Sequence, residues 1–260
     1  MAKRVKQLFL MAVMIAFCAG TVSAADDTIR VGFAAEPYPP FTVPDASGNW
    51  TGWEVEIIDA VCQEAGLNCE LAPTAWDGII PALVSKKIDL IMGSLSITEE
   101  RLKTIDFTDK YYNTPAYVVG NKNMAFAATP QGLKGKVLGV QTATTHAAYA
   151  EKHYKDTKVK QYPTQDEINQ DLVSGRLDAT QADSLAMAEF LESEEGRACC
   201  DLKGKAISDP AILGRGIGVG LRKGNEALKE KINAAIKGIR EKGIYQEITQ
   251  KYFKVDVYGD

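Results

Sequence analysis

The chain has 260 residues, with 30 Lys and Arg against 34 Asp and Glu, a formal net charge of −4. An acidic balance argues against nucleic acid or an anionic membrane surface as a partner. Two histidines and no Cys-x-x-Cys pair leave no sequence signature for a metal site, and no cofactor is expected.

Lys3, Arg4 and Lys6 form a basic start, Leu8 to Phe17 is apolar but too short to span a bilayer, and Val22-Ser23-Ala24-Ala25 has the small residues of a cleavage site. This pattern predicts a secretory signal peptide over residues 1–24, cut after Ala24 or Ala25, and a mature protein in the periplasm that is not embedded in a membrane. Cys18 raises the question of a lipid anchor, but bulky Phe17 before it fits such a signal poorly. Without the leader, 27 Lys and Arg face 34 Asp and Glu, for a formal charge of −7. About 235 mature residues exceed one typical domain of about 100–150, so two lobes are expected.

Residues 28–34 read as a strand. Trp53 to Gly66 carries Ile57, Ile58, Val61, Cys62 and Ala65 at helical spacing and stops at glycine. A strand over 70–75 follows. Asp77 is the expected N-cap of a helix running through DGIIPALVSKK, with Pro81 tolerated in its opening turn. A strand over 88–92 precedes the stretch GSLSITEER at 93–101.

The second half repeats the theme. It has a strand at 136–141, a helix entered through Thr144 and Thr145, a helix at 165–174, a strand at 176–181 and a small-residue strand at 216–221. An amphipathic helix at 225–241 stops at Gly243, and a last helix covers 245–252. Strand and helix alternating at this spacing indicate βαβ units and parallel sheet. LVSKKIDLIMGS (83–94) aligns without gaps on LVSGRLDATQAD (172–183), with Leu83, Val84, Ser85 and Asp89 recurring as Leu172, Val173, Ser174 and Asp178. If the lobes are alike, Ser94 and Asp183 occupy equivalent carboxyl ends of strands, where ligands of open α/β sheets bind.

Four cysteines follow the leader. An exported protein meets an oxidising compartment, and the Gly66-Leu67-Asn68 turn between Cys62 and Cys69 makes a loop that a disulfide can close. Cys199 and Cys200 are adjacent, and their sequence leaves three states open: free thiols, a vicinal disulfide, or a bond to another chain.

YPPF (38–41), GWEVEI (52–57), WDGIIPAL (76–83), GSLSITEER (93–101), DFTDKYY (106–112), GVQTATT (139–145), GRLDATQAD (175–183), GVGLRKGN (218–225) and the ending KYFKVDVYGD together resemble the periplasmic polar amino-acid-binding proteins of ABC transporters, above all the lysine/arginine/ornithine- and histidine-binding group. The resemblance runs from about residue 29 to 260. It implies an α/β fold of two lobes, the type II periplasmic-binding-protein fold, each lobe a mostly parallel sheet flanked by helices. Lobe 1 would comprise 25–113 and 216–260 and lobe 2 116–208, joined by two crossover strands that act as a hinge near 113–115 and 208–216. It also implies a Cys62–Cys69 disulfide, a membrane permease as partner, and a monomer that is not an enzyme.

The family's site maps onto named residues. Arg101, in the first turn of a helix capped by Thr98, would grip an amino-acid carboxylate with two parallel hydrogen bonds that lysine cannot make. Ser94 and Ser96 add hydroxyl or backbone contacts, and Thr144 and Thr145, at a helix start in the second lobe, close over the carboxylate. Asp183, an acceptor-only group, is the ammonium partner, with helix capping as its alternative role. Tyr38 and Trp76 match an aromatic pair that sandwiches an extended cationic side chain, worth roughly 0.5–2 kcal/mol.

Departures fall where specificity is set. Ala35 stands where cationic-ligand relatives carry an acid, and Glu36 is the nearest substitute. Gly93 replaces a common serine, which is expected to widen the site, and His146 replaces a common glutamine. The expected ligand is arginine, lysine, ornithine or histidine, with an opine or other polar amino acid as alternative. An exported dehydratase on the same scaffold would need Glu36 or His146 as its acid or base.

Overall fold

The computed structural model describes residues 28–259. The expected signal peptide and the first residues after it lie outside them. Strand β1 (Ile29–Ala34) is followed by a two-stranded ribbon, β2 (Val43–Pro44) with β3 (Trp50–Thr51), and helix α1 (Trp53–Ala65). Gly66 ends α1 in the left-handed conformation, its amide bonded back to Cys62 and Gln63. Then come β4 (Cys69–Thr74), α2 (Ile79–Val84), β5 (Leu90–Ile91), α3 (Glu99–Leu102) and β6 (Asp106–Tyr112).

The chain then passes to a second sheet. It contains β7 (Ala116–Asn121), β8 (Val137–Gln141) and α4 (Thr145–His153), then β9 (Lys158–Tyr162), α5 (Gln165–Val173) and β10 (Ala179–Asp183). Helices α6 (Ser184–Glu192) and α7 (Glu194–Cys199) lead to β11 (Cys200–Lys205). After a short helix, α8 (Pro210–Leu213), the chain returns through β12 (Ile217–Leu221) to the first sheet and ends in α9 (Glu226–Glu241) and α10 (Ile244–Tyr252).

The sheets have orders β4-β1-β5-β12-β6 and β9-β8-β10-β7-β11. In each sheet four strands run the same way (β4, β1, β5 and β6; β9, β8, β10 and β11) and one, β12 or β7, runs against them, so the sheets are mostly parallel in direction, as expected, with one reversed strand each. The two crossings explain this. Strands β5 and β10 end at the cleft, whereas β7 and β12 arrive from the other sheet through 113–115 and 206–216. They enter at the cleft end and must run the opposite way, as the pairing of Asp183 with Ala116 and the bridge of Ser96 to Ile217 record.

The internal repeat is structural. Lys86 and Gly175 share the left-handed conformation, at φ 63° and 74°. Lys87 and Ile88 donate to Ala82 O, as Arg176 and Leu177 donate to Asp171 O. The carboxylate of Asp89 accepts the Arg30 amide at 3.1 Å, as Asp178 accepts the Val137 amide at 2.7 Å. Each aspartate thus ties the start of one strand to its parallel neighbour. These turns also correct two boundaries: residues 176–177 and 87–88 bond back to the preceding helix, the amides of Asp178 and Asp89 reach the neighbouring strand, and the paired strands run from Ala179 and Leu90. Asp77 is not the N-cap of α2. A tight turn over Trp76–Gly78 intervenes, Gly78 occupies the cap position, and the helix ends at Val84.

Trp53 is fully buried under the first sheet among Tyr111, Tyr112, Phe41 and Tyr245, its indole N–H on Thr249 at 3.1 Å. Cys62 and Cys69 are bonded, pinning α1 to β4, and Cys199 and Cys200 are bonded to each other where α7 becomes β11. By loop-closure entropy, the Cys62→Ser/Cys69→Ser protein is expected to lose about 2 kcal/mol in chemical denaturation with its midpoint lowered and its slope little changed. An unchanged midpoint would mean that the packing of α1 alone holds this corner.

Candidate ligand-binding site

Between the two sheets lies a cavity walled by both. All eleven candidate residues line it: Glu36, Tyr38, Trp76, Gly93, Ser94, Ser96 and Arg101 from one side, and Thr144, Thr145, His146 and Asp183 from the other. Ala35 does not.

Thr98 caps α3, its hydroxyl accepting the Arg101 amide at 3.2 Å. The Arg101 side chain turns inward, donating to Ser96 O at 3.0 Å and lying over the Trp76 ring at 5.7 Å. It does not pair with Glu100, which bonds Lys103 instead. Burial pushes the guanidinium down to about 10, opposed by the charge of Asp183 across the cavity. A guanidinium desolvated to this degree with no carboxylate against it is a built seat for an anion.

Asp183 ends β10 in a position where it could cap α6, yet makes no capping bond. Its Oδ2 accepts the Tyr38 hydroxyl at 3.0 Å, and its Oδ1 lies 3.3 Å from His146 Nε2. The Tyr38–Asp183 bond joins the two sides of the cleft. Thr144 caps α4, accepting the Ala147 amide at 3.1 Å and donating to Gln141 O at 2.6 Å, so its hydroxyl is spent on the helix start. Thr145 opens that helix, whose first amides have no intrahelical acceptor.

Glu36 accepts the Trp76 amide at 3.2 Å and thereby orients the turn that carries the indole. Among the described residues the buried indole Nε1 and His146 Nδ1 have no hydrogen-bond partner, two orphaned atoms on residues that line a polar cavity. Gly93, on the cavity wall, also has a packing role. A Cβ there would come within 3.0 Å of Phe33 Cα and 3.2 Å of its Cβ, so the glycine lets the turn after β5 pack on β1.

Sequence reasoning missed Glu54, Gln141 and Gln165 on the cavity wall. Glu54, on the first turn of α1, is 1% exposed. It accepts the Ser94 amide at 2.9 Å, the Ser94 hydroxyl at 3.3 Å and the Tyr111 hydroxyl. Burial pushes its carboxyl up to about 7, against those three donors. Its sequence signal was an acid where α1's apolar face should continue, next to Trp53.

A family model, the bacterial extracellular solute-binding proteins of family 3, matches residues 29–255. The chain belongs to that family. An L-arginine-binding protein of Pseudomonas aeruginosa is 41% identical over 239 residues, covering 91% of this chain and 92% of that one. A histidine-binding periplasmic protein of Salmonella typhimurium is 36% identical over 255 residues, covering 96% and 97%. Among solved structures, an ancestral arginine-binding protein bound to arginine superposes with a TM-score of 0.79 at 35% identity, over 87% of this chain and 98% of that one. Membership of the solute-binding family agrees with two similar sheets facing across one polar cavity.

Proposed function

We propose that this protein is a periplasmic receptor that closes its two lobes on a cationic L-amino acid and delivers it to an ABC importer. The observation that carries the reading is the opposition of Arg101 and Asp183 across one cavity, a guanidinium for the α-carboxylate and a carboxylate for the α-ammonium. Ser96, Thr145 and the α4 amides complete the carboxylate seat, with Tyr38 and Trp76 flanking the side chain.

The charge of the wall favours a cation: Glu36 and Asp183 line it with Arg101, the one lysine or arginine there among the described residues. Relatives that bind arginine and histidine support the same ligand class. The lobes are residues 25–113 with 216–260, and 116–208, hinged at the two crossings. The mature monomer meets a membrane permease and carries out no chemistry on its ligand.

A thermal-shift screen of refolded, ligand-stripped protein against the twenty amino acids, ornithine, citrulline and several opines tests this. Ligand at about 100 times its Kd adds roughly 2.7 kcal/mol of stability, a visible rise. The rise is expected with arginine, lysine, ornithine or histidine, and the ligand is expected back unchanged after incubation. Stabilisation by none of them would sink the receptor reading, and recovery of a converted product would replace it with an enzyme.

A further inference from the structure

We propose that Glu54 is a further specificity-determining residue: a buried carboxyl behind the ligand seat that holds a proton in the empty cleft and releases it when a cationic amino acid enters. The inference rests on the receptor reading above. It starts from placement. Glu54 is 1% exposed, lines the same cavity as Asp183, and makes no ion pair among the described residues.

The groups that face Glu54 are one anion and neutral hydroxyls. Asp183 acts on it from the end of β10, Tyr111 and Tyr112 from β6, Tyr38 from the YPPF turn, and Ser94 from the turn after β5. A carboxylate removed from water beside another carboxylate, with no cation paired to it among the described residues and Arg101 bonded elsewhere, is costly, and the group neutralises instead. Its raised affinity for the proton, near 7, agrees with this geometry.

Glu54 is also tied to the seat itself. It takes both the amide and the hydroxyl of Ser94, which it helps hold at φ 52°, a left-handed conformation uncommon for a residue with a Cβ. Tyr112 donates to the same Ser94 hydroxyl at 2.6 Å. A ligand cation placed over this turn is the missing counter-charge. It stabilises the carboxylate form, the O–H proton passes to solvent, and the Ser94 and Tyr111 donors then bond a full anion. Ligands that bring no net positive charge recover less of the cost, which is how the carboxyl discriminates.

The sign follows. The cation lowers the proton affinity of Glu54, so binding releases protons and strengthens as pH rises through about 7. With full ionisation in the complex, arginine should bind about tenfold more weakly at pH 6 than at pH 8, its own charge being constant there. At pH 7 roughly half a proton should leave per ligand bound.

Titration calorimetry of the whole mature protein with arginine at pH 7, in phosphate and in Tris buffer, reads this release directly. The expected result is a buffer-dependent heat in wild type and none in Glu54→Gln. Tyr111→Phe, which removes one donor from the carboxylate, should release more. Arginine heat that is equal in both buffers overturns the inference while leaving the receptor reading standing, and so does proton release that survives Glu54→Gln. Absence of any arginine heat fails the receptor reading instead. Should Glu54→Gln not fold, Tyr111→Phe decides: release unchanged from wild type overturns the inference.

Discussion

Arg101→Met is expected to weaken arginine binding by at least about 30-fold, and by up to several thousand-fold, in calorimetry or equilibrium dialysis. Truncating one partner of a buried charge pair costs about 2–5 kcal/mol, because the other charge is left desolvated and alone. Here the abandoned charge is the ligand's α-carboxylate, whose remaining donors are the α4 amides and the Ser96 region. The stability of the empty protein should move the other way. Among the described residues the Arg101 guanidinium has only Ser96 O and the Trp76 face as partners, and burial lowers it to about 10. Replacing it by an apolar side chain of similar length removes an uncompensated buried charge. The ligand-free variant should therefore melt at or above the wild-type temperature while binding collapses. Wild-type affinity in this variant would mean that the carboxylate sits elsewhere. A large drop in melting temperature would mean that Arg101 serves the fold.

Asp183→Asn is expected to cost about 2–4 kcal/mol of binding, or some 30- to 1,000-fold in Kd, with little change in the empty protein. The amide oxygen of asparagine can still accept the Tyr38 hydroxyl, now at 3.0 Å, so the bond across the cleft survives in form. What disappears is the negative charge against the α-ammonium. Because every free α-amino acid carries that group, arginine and histidine should lose affinity by similar factors in parallel titrations. A loss confined to arginine would place Asp183 against the side-chain cation instead, and reverse the orientation of the ligand in the cleft.

The parts of this site that could be read from residues share a local cause. Thr98 and Arg101 are three apart, the spacing that a capped helix start demands, and the cap bond is present. The gapless match of 83–94 with 172–183 announced two similar units, and the left-handed turn at Lys86 and Gly175 with its pair of aspartates is the physical content of that match. Gly66 and Gly243 ended their helices for backbone reasons that need no partner.

What escaped reading depends on partners distant in sequence. Asp77 has the chemistry of an N-cap, but Glu36, forty residues earlier, takes the Trp76 amide, and the tight turn this orients moves the helix start to Gly78. Gly93 looks like a lost hydroxyl until Phe33 is placed beneath it. Glu54 was hidden because an acid on the first turn of a helix usually faces water. Only the packing of α1 under the first sheet, with Tyr111 and Ser94 drawn to it, turns that acid inward.

Composition, periodicity and motif spacing were therefore enough to determine an acidic, two-unit α/β chain with Ser94 and Asp183 at matching strand ends, because the repeat and the helix and strand signals are each carried within about a dozen residues. Tertiary structure alone decided that one strand of each sheet runs against the rest, that Tyr38 reaches across to Asp183, and that a third carboxyl lies buried behind the seat. Those outcomes follow from two passages of the chain between sheets and from desolvation, and neither is a property of any local stretch of residues.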